Sequence, residues 1–285
     1  MGTKALQRLG VSIGARRPLE AEEQELYETF IRDAKERVGA MQARLNDGMP
    51  TYAKVLRRMA DVEVVGRVKT LNALADKLER SPTEKLPSIH DVAVVRIVAP
   101  ISLVEQNAFG ESLCQQFDEY LVCTRPALLV DRIESPSHGY RALHVIAWPE
   151  GRPVEIQIRT QLQHAWAQLM VVLGDRWGRE LRYGLPLPTT SDGDANYRNK
   201  AVDDMKSLSR RIAEYEESAN LLVVSHVEVP DDALIGKGLT RETLDALRAE
   251  AVRQRDPLEA AQDQLHEMLR SFSENLLIEQ TADKS

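Results

Sequence analysis

Residues 154–159, Val-Glu-Ile-Gln-Ile-Arg, alternate strictly between branched aliphatic and polar side chains. A period of two sends Val154, Ile156 and Ile158 to one face of a β-strand and Glu155, Gln157 and Arg159 to the other. This commits the middle of the chain to a sheet with an apolar side to bury. The opposite face is unusual, because a carboxylate, an amide and a guanidinium stand in a row where Thr, Ser and Lys are commoner. Two readings fit such a row. It is a solvated strand face, or it is one wall of a phosphate-and-metal site, with Glu155 on a divalent cation and Arg159 on an anionic oxygen.

The flanking sequence supplies the rest of a sheet. Ile89–Ala99 is nearly continuous in Val and Ile, which predicts a strand buried on both faces. Tyr140–Trp148 and Val154–Arg159 read as two strands joined by the glycine-containing loop Pro149–Arg152. Short strand-like runs occur at Val62–Val65 and Leu121–Cys123. Helical spacing predicts helices over about 18–45, 52–59, 70–80, 103–116 and 161–178, the first ended by Asn46-Asp47-Gly48-Met49-Pro50. Residues 1–18 read as a loose arm and 19–183 as one domain. Residues 184–196 read as a polar, proline-containing linker, and 197–285 as an α-helical C-terminal region. In that region Val202, Met205, Ser209, Ile212, Glu216, Ala219 and Leu222 recur at helical spacing, a stripe suited to the core or to a second copy in a homo-oligomer. Further helices are predicted from Thr240 to about Arg255 and from Pro257 to about Leu276.

Bulk properties narrow the function classes. A chain of 285 residues, 43% hydrophobic, can build one substantial core and a helical appendage. A net charge of −7 argues against wrapping duplex DNA, although a local basic patch remains compatible with RNA. Cys114 and Cys123 match no zinc spacing and no disulfide framework. With no run of 18 apolar residues and no apolar leader segment at the start, the expectation is a cytoplasmic protein without a membrane span.

Four segments carry candidate chemistry. Gly66-Arg67-Val68-Lys69 precedes a helix bearing Lys77 and Arg80, and basic residues at a helix start suit phosphate. Asp91 opens the apolar run and Arg96 lies within it, and a carboxylate there needs a partner or a metal. Ser137–His144 places Tyr140, Arg141 and His144 together, with Tyr140 and His144 expected on one strand face. The fourth is the strand at 154–159. Asp91 and Glu155 on adjacent strands make a two-carboxylate magnesium site, ringed by Arg67, Lys69, Arg96, Arg141 and Arg159 for phosphate charge. Together these predict a nucleotide undergoing phosphoryl transfer, a reaction catalysed mainly by positioning and charge neutralisation.

The segments GRVK, DVAVVR, HGYRALH and EIQIRT followed by HAW, in that order, resemble the synthetase domain of the RelA/SpoT family over about residues 50–182. The resemblance implies an α/β (α+β) nucleotidyltransferase-like fold, a central mixed sheet flanked by helices, of the small single-domain type. It implies Mg2+ as cofactor, held by Asp91 and Glu155, and transfer of the β,γ-pyrophosphate of ATP to the 3′-hydroxyl of GDP or GTP, releasing AMP and making (p)ppGpp. Glu155 would also help deprotonate the hydroxyl, and Tyr140 would stack on guanine. Arg67 and Lys69 would contact ATP phosphates, while Gln157, Arg159 and His144 shape and neutralise the site. Two departures motivate alternatives. Ala73 stands where the family usually has serine, and Met170-Val171 where it has Glu-His. A non-catalytic nucleotide-binding module is one alternative, and a toxin-type enzyme acting on the tRNA 3′ end is another.

Overall fold

The computed structural model describes residues 2–52, 61–120, 123–184, 195–226, 240, 242, 249, 260–271 and 273–274. The chain forms two compact units. The first comprises 1–101, 105–131 and 142–159, and the second 102–104, 132–141 and 160–285. The predicted helices over 52–59 and from Thr240 to Arg255, and the linker, lie largely outside the described residues.

The first unit is a mixed five-stranded sheet with helices. Its strands are β1 (Glu63–Val68), β2 (Ala93–Ala99), β3 (Leu128–Asp131), β4 (Leu143–Ala147) and β5 (Val154–Thr160), in spatial order β1-β2-β5-β4-β3. The two central strands are the two that read most strongly from sequence. β2 is buried at every position but Arg96, as its Val/Ile run requires, and β5 is buried throughout. The hairpin joining β4 to β5 turns through Glu150 and Gly151, both at positive φ. Leu121 and Val122 lie outside the described residues, and Cys123 makes only a lone bridge to Pro149.

Around this sheet run α1 (Thr3–Gly14), α2 (Ala21–Tyr52), α3 (Leu71–Arg80) and α4 (Leu103–Tyr120). Residues 1–18 are therefore not a loose arm. Leu6, Leu9 and Ile13 of α1 are buried, and that apolar stripe holds the segment helical. Helix α2 buries Phe30, Ala34, Val38, Met41 and Leu45, one stripe at helical spacing. It continues through Gly48 and Pro50, where the sequence predicted a stop. Where α2 crosses β1, Gly66 is required. A Cβ there would lie 2.3 Å from Val38 Cγ1 and 2.8 Å from Gln42 Oε1, and Gln42 Nε2 donates to the Val64 carbonyl at 2.8 Å. Helix α4 buries Phe109, Leu113 and Phe117, and the buried Gln106 donates to the Ile158 carbonyl of β5 at 2.8 Å.

The second unit is helical. Helix α5 (Gln161–Trp177) starts with a capping box, in which Thr160 Oγ1 accepts from the Gln163 N–H and Gln163 Oε1 accepts from the Thr160 N–H. Helix α6 (Ala195–His226) lays Met205, Leu208 and Ile212 into a cluster with Trp166, Leu173 and, from the helical segment 260–271, Leu265 and Leu269. The stripe that could have served a second copy is spent largely on this intrachain core. Trp166 Nε1 donates to the Met205 carbonyl at 2.7 Å. No helix among the described residues is long and apolar enough to cross a membrane.

Candidate functional site

Strand β5 sets the first wall. Glu155, Gln157 and Arg159 are only 5–6% exposed, so the solvated-face reading is wrong. Buried polar groups need partners, and here they partner along their own strand. Arg159 Nη2 donates to Gln157 Oε1 at 2.9 Å, and Gln157 Nε2 donates to Glu155 Oε1 at 2.6 Å. The two-residue period that puts all three on one face is what makes this chain of bonds possible. On β4, His144 pairs in register with Gln157, and its Nδ1 lies 3.3 Å from Glu155 Oε1.

Asp91 sets the second wall, and not from a strand. It occupies a 3-10 turn, His90–Val92, immediately before β2, with φ −89° and ψ 25°. Lys69 Nζ lies 2.5 Å from its Oδ2 and Lys77 Nζ 2.9 Å from its Oδ1. Lys69 arrives from the end of β1, where its N–H donates to the Val92 carbonyl at 2.9 Å. Lys77 arrives from α3, whose N-cap Thr70 accepts from the Ala73 N–H. Burial alone would raise the Asp91 carboxyl, but the two ammonium groups outweigh it and hold the group at about 2. Burial likewise works to lower Lys77. Asp91 foremost, then Glu84 at 3.5 Å and the charge of Glu155, reverse this and keep Lys77 above its ordinary value. Lys77 thus lies within electrostatic reach of both carboxylates.

The other expected residues divide. Arg67 and Arg96 share a face of the β1–β2 pair, since Arg67 pairs with Val94 and Val65 with Arg96. Arg67 is exposed and Arg96 half-buried. Gly66 serves helix packing in mid-strand. Tyr140 does not share a strand face with His144. His138 and Gly139 take positive φ, Tyr140 exchanges backbone hydrogen bonds with Ser137, and β4 begins only at Leu143. Tyr140 belongs to the second unit, packed against its Trp166–Leu208 cluster. Arg141, in the same unit, donates to the Ile133 carbonyl. The structure therefore brings together Lys69, Lys77, Asp91, His144, Glu155, Gln157 and Arg159 in the first unit, while Tyr140 and Arg141 belong to the second.

Two features escaped the sequence reading of the site. Glu84 joins the lysine cluster from a loop, with no pattern to mark it. Glu216 of α6 is buried and accepts hydrogen bonds from Thr160 Oγ1 and, at 3.0 Å, from Gln163 Nε2. Burial raises its carboxyl above the ordinary range, against those hydrogen bonds and the charge of Arg141. A signal for it existed, namely a carboxylate at a stripe position of a buried helix.

Asp91 and Glu155 are hard oxygen donors of the kind magnesium takes, one or two carboxylates completed by substrate phosphates. Among the described residues no cluster of three or more His, Cys, Asp or Glu forms a full protein cage, so a cation here would share its coordination with a ligand.

Residues 66–172 match the family model described as "Region found in RelA / SpoT proteins". Uncharacterized proteins of Mycobacterium tuberculosis and Mycobacterium bovis are 40% identical over 153 residues, 47% of this chain and 54% of theirs. The chain thus spans about half the length of those curated relatives. A GTP pyrophosphokinase of Photobacterium angustum is 28% identical over 177 residues, 60% of this chain and 21% of that protein. Among solved structures, small alarmone synthetase 1 of Bacillus subtilis bound to its product pppGpp matches at a TM-score of 0.47 and 21% identity, covering 67% of this chain and 96% of that one.

Proposed function

We propose, on the match of residues 66–172 to the RelA/SpoT region, that the protein is a pyrophosphokinase that moves the β,γ-pyrophosphate of ATP to the 3′-hydroxyl of GDP or GTP. The observation that supports this reading is the buried Glu155–Gln157–Arg159 row, with Lys77 in reach of both Glu155 and Asp91. In the transfer, the acceptor oxygen bonds to the β-phosphorus as the α–β bridging bond breaks. AMP leaves, and the hydroxyl proton passes to Glu155. Gln157 and His144 hold that carboxylate at Oε1, fixing its direction. Lys69, Lys77 and Arg159 supply positive charge for the pyrophosphoryl oxygens, with Arg67 and Arg96 on the adjoining strand pair for the rest of the triphosphate. Magnesium, held by Asp91 and Glu155, would add charge neutralisation. Tyr140 would stack on the guanine ring.

A second reading, a nucleotide-binding module without turnover, draws on Met170 and Val171. Met170 is buried in the helical core and Val171 is exposed, so neither supplies the polar pair expected at that place. One experiment separates the two. The protein is incubated with magnesium and ATP labelled at the β-phosphate, with GDP, GTP and tRNA offered separately. Label on a guanine nucleotide supports the first reading, and label on tRNA reassigns the acceptor. Nucleotide binding without AMP release supports the second.

A further inference from the structure

A cavity of about 250 Å3 opens in the first unit between α1, α2, the turns around residues 86–92 and the β4–β5 hairpin. Neither Asp91 nor Glu155 lines it, although its walls run into both of their segments through Ile89, Val92, Arg152 and Pro153. Its exposed lining is largely polar, with two guanidinium groups set among apolar side chains. Arg37 of α2 is the unusual one. Its side chain is only 10% exposed, and its Nε and Nη1 have no hydrogen-bond partner. Its Nη2 lies 3.3 Å from Asp33 Oδ2, and the same oxygen lies 3.3 Å from Arg152 Nη1. One carboxylate oxygen thus serves two cations at the long end of the hydrogen-bond range. Glu150, on the exposed hairpin tip, is the only acidic side chain among the described residues of the lining.

A buried guanidinium with two unmet donors is costly unless something meets them. Burial lowers the Arg37 guanidinium, and Arg152 adds to that lowering, against Asp33 and Glu150. The forked donor set matches a phosphate or carboxylate bidentately. We propose that this cavity binds a compact oxyanion, the phosphate or carboxylate group of a small metabolite, between Arg37 and Arg152. Leu6, Phe30 and Leu86 line the same cavity and would contact the body of that ligand.

Titration calorimetry and thermal unfolding test this with two probes, inorganic phosphate and malonate, on the full chain. The proteins compared are the parent, Arg37→Met, Arg152→Gln and, to report on the nucleotide site, Lys69→Gln. The expected result is that one probe binds the parent and Lys69→Gln alike, and that affinity falls at least tenfold in both arginine variants. Which probe binds distinguishes a phosphoryl from a carboxylate ligand. Without probe, Arg37→Met should unfold no lower than the parent, because a buried guanidinium with two unmet donors has been removed. Arg152 is partly exposed, so Arg152→Gln carries the binding test if Arg37→Met does not fold. Failure of both probes to bind the parent, unchanged affinity in the arginine variants, or loss in Lys69→Gln alone overturns the proposal. None of these readouts depends on turnover.

Discussion

Glu155 and Asp91 are the two carboxylates of one candidate site, and the chain holds them by different means. Glu155 stands near the start of a fully buried strand, steadied by an amide two residues along and by a histidine on the next strand. Asp91 sits in a turn and is gripped by two ammonium groups, one from the end of β1 and one from α3. The first arrangement is short-range, made along one strand and across a single hairpin pairing. The second joins three elements distant in sequence and exists only after they have packed. The difference also separates roles. A carboxylate held at about 2 by two cations is an anion at any working pH and serves as a fixed negative charge.

Substitutions can break this division. The largest expected effect is that of Glu155→Gln, which keeps the shape and removes the proton acceptor. AMP release should fall by a factor of about 100 or more, the usual worth of a positioned general base, with the circular-dichroism spectrum unchanged. Retained turnover would show that Glu155 only supports the strand. Lys77→Met should cost less, about tenfold, because Lys69 still pairs with Asp91. In that variant, NMR titration of Asp91 should place its carboxyl above the parent's value. An unmoved Asp91 titration would mean that Lys69 alone holds it.

Acid unfolding tests the same contrast through stability. The folded Asp91 carboxyl is held at about 2 against an ordinary value of 3.8, so its contribution is present above pH 4 and is lost as pH falls towards 2. Just under two pH units corresponds to about 2 kcal/mol. Asp91→Asn should therefore lose that much less stability than the parent between pH 4 and pH 2, measured by urea unfolding. Glu216 carries the opposite sign. Its folded value is raised, so its neutral form favours the fold at low pH, and that contribution is lost as pH rises through the folded value. Glu216→Gln should flatten this part of the pH profile and leave the Asp91 part intact.

What could be read from sequence follows the same line between local and assembled. The alternation at 154–159 gave β5 and the shared face of Glu155, Gln157 and Arg159, because a two-residue period is a property of the strand alone. The Val/Ile run gave β2. The same run drew Asp91 into the strand, whereas it lies in a turn whose carbonyl at Val92 pairs with Lys69. Tyr140 was placed on β4 by continuity of pattern, but the positive φ angles at His138 and Gly139 end that continuity. The first helix was missed because Leu6, Leu9 and Ile13 make a short stripe whose stability comes from tertiary burial. The burial of Arg159 could not be read from residue type, since Arg is seldom fully buried without partners.

The smallest expected effect falls where β5 hands over to α5. Thr160 caps the helix by accepting from the Gln163 N–H, and its hydroxyl donates to the buried Glu216. Thr160→Val keeps the branched shape of β5 and removes both bonds. Loss of such a cap costs about 1 kcal/mol, and the carboxyl left with one fewer partner adds to it. Thr160→Ser restores the hydroxyl and should recover most of the loss in a thermal melt. If Thr160→Val and Thr160→Ser melt together, β5 is held by its own buried row and the cap is dispensable. If only Thr160→Val drops, the hydroxyl at the end of β5 is needed to steady the start of α5, while the row above it stays self-contained.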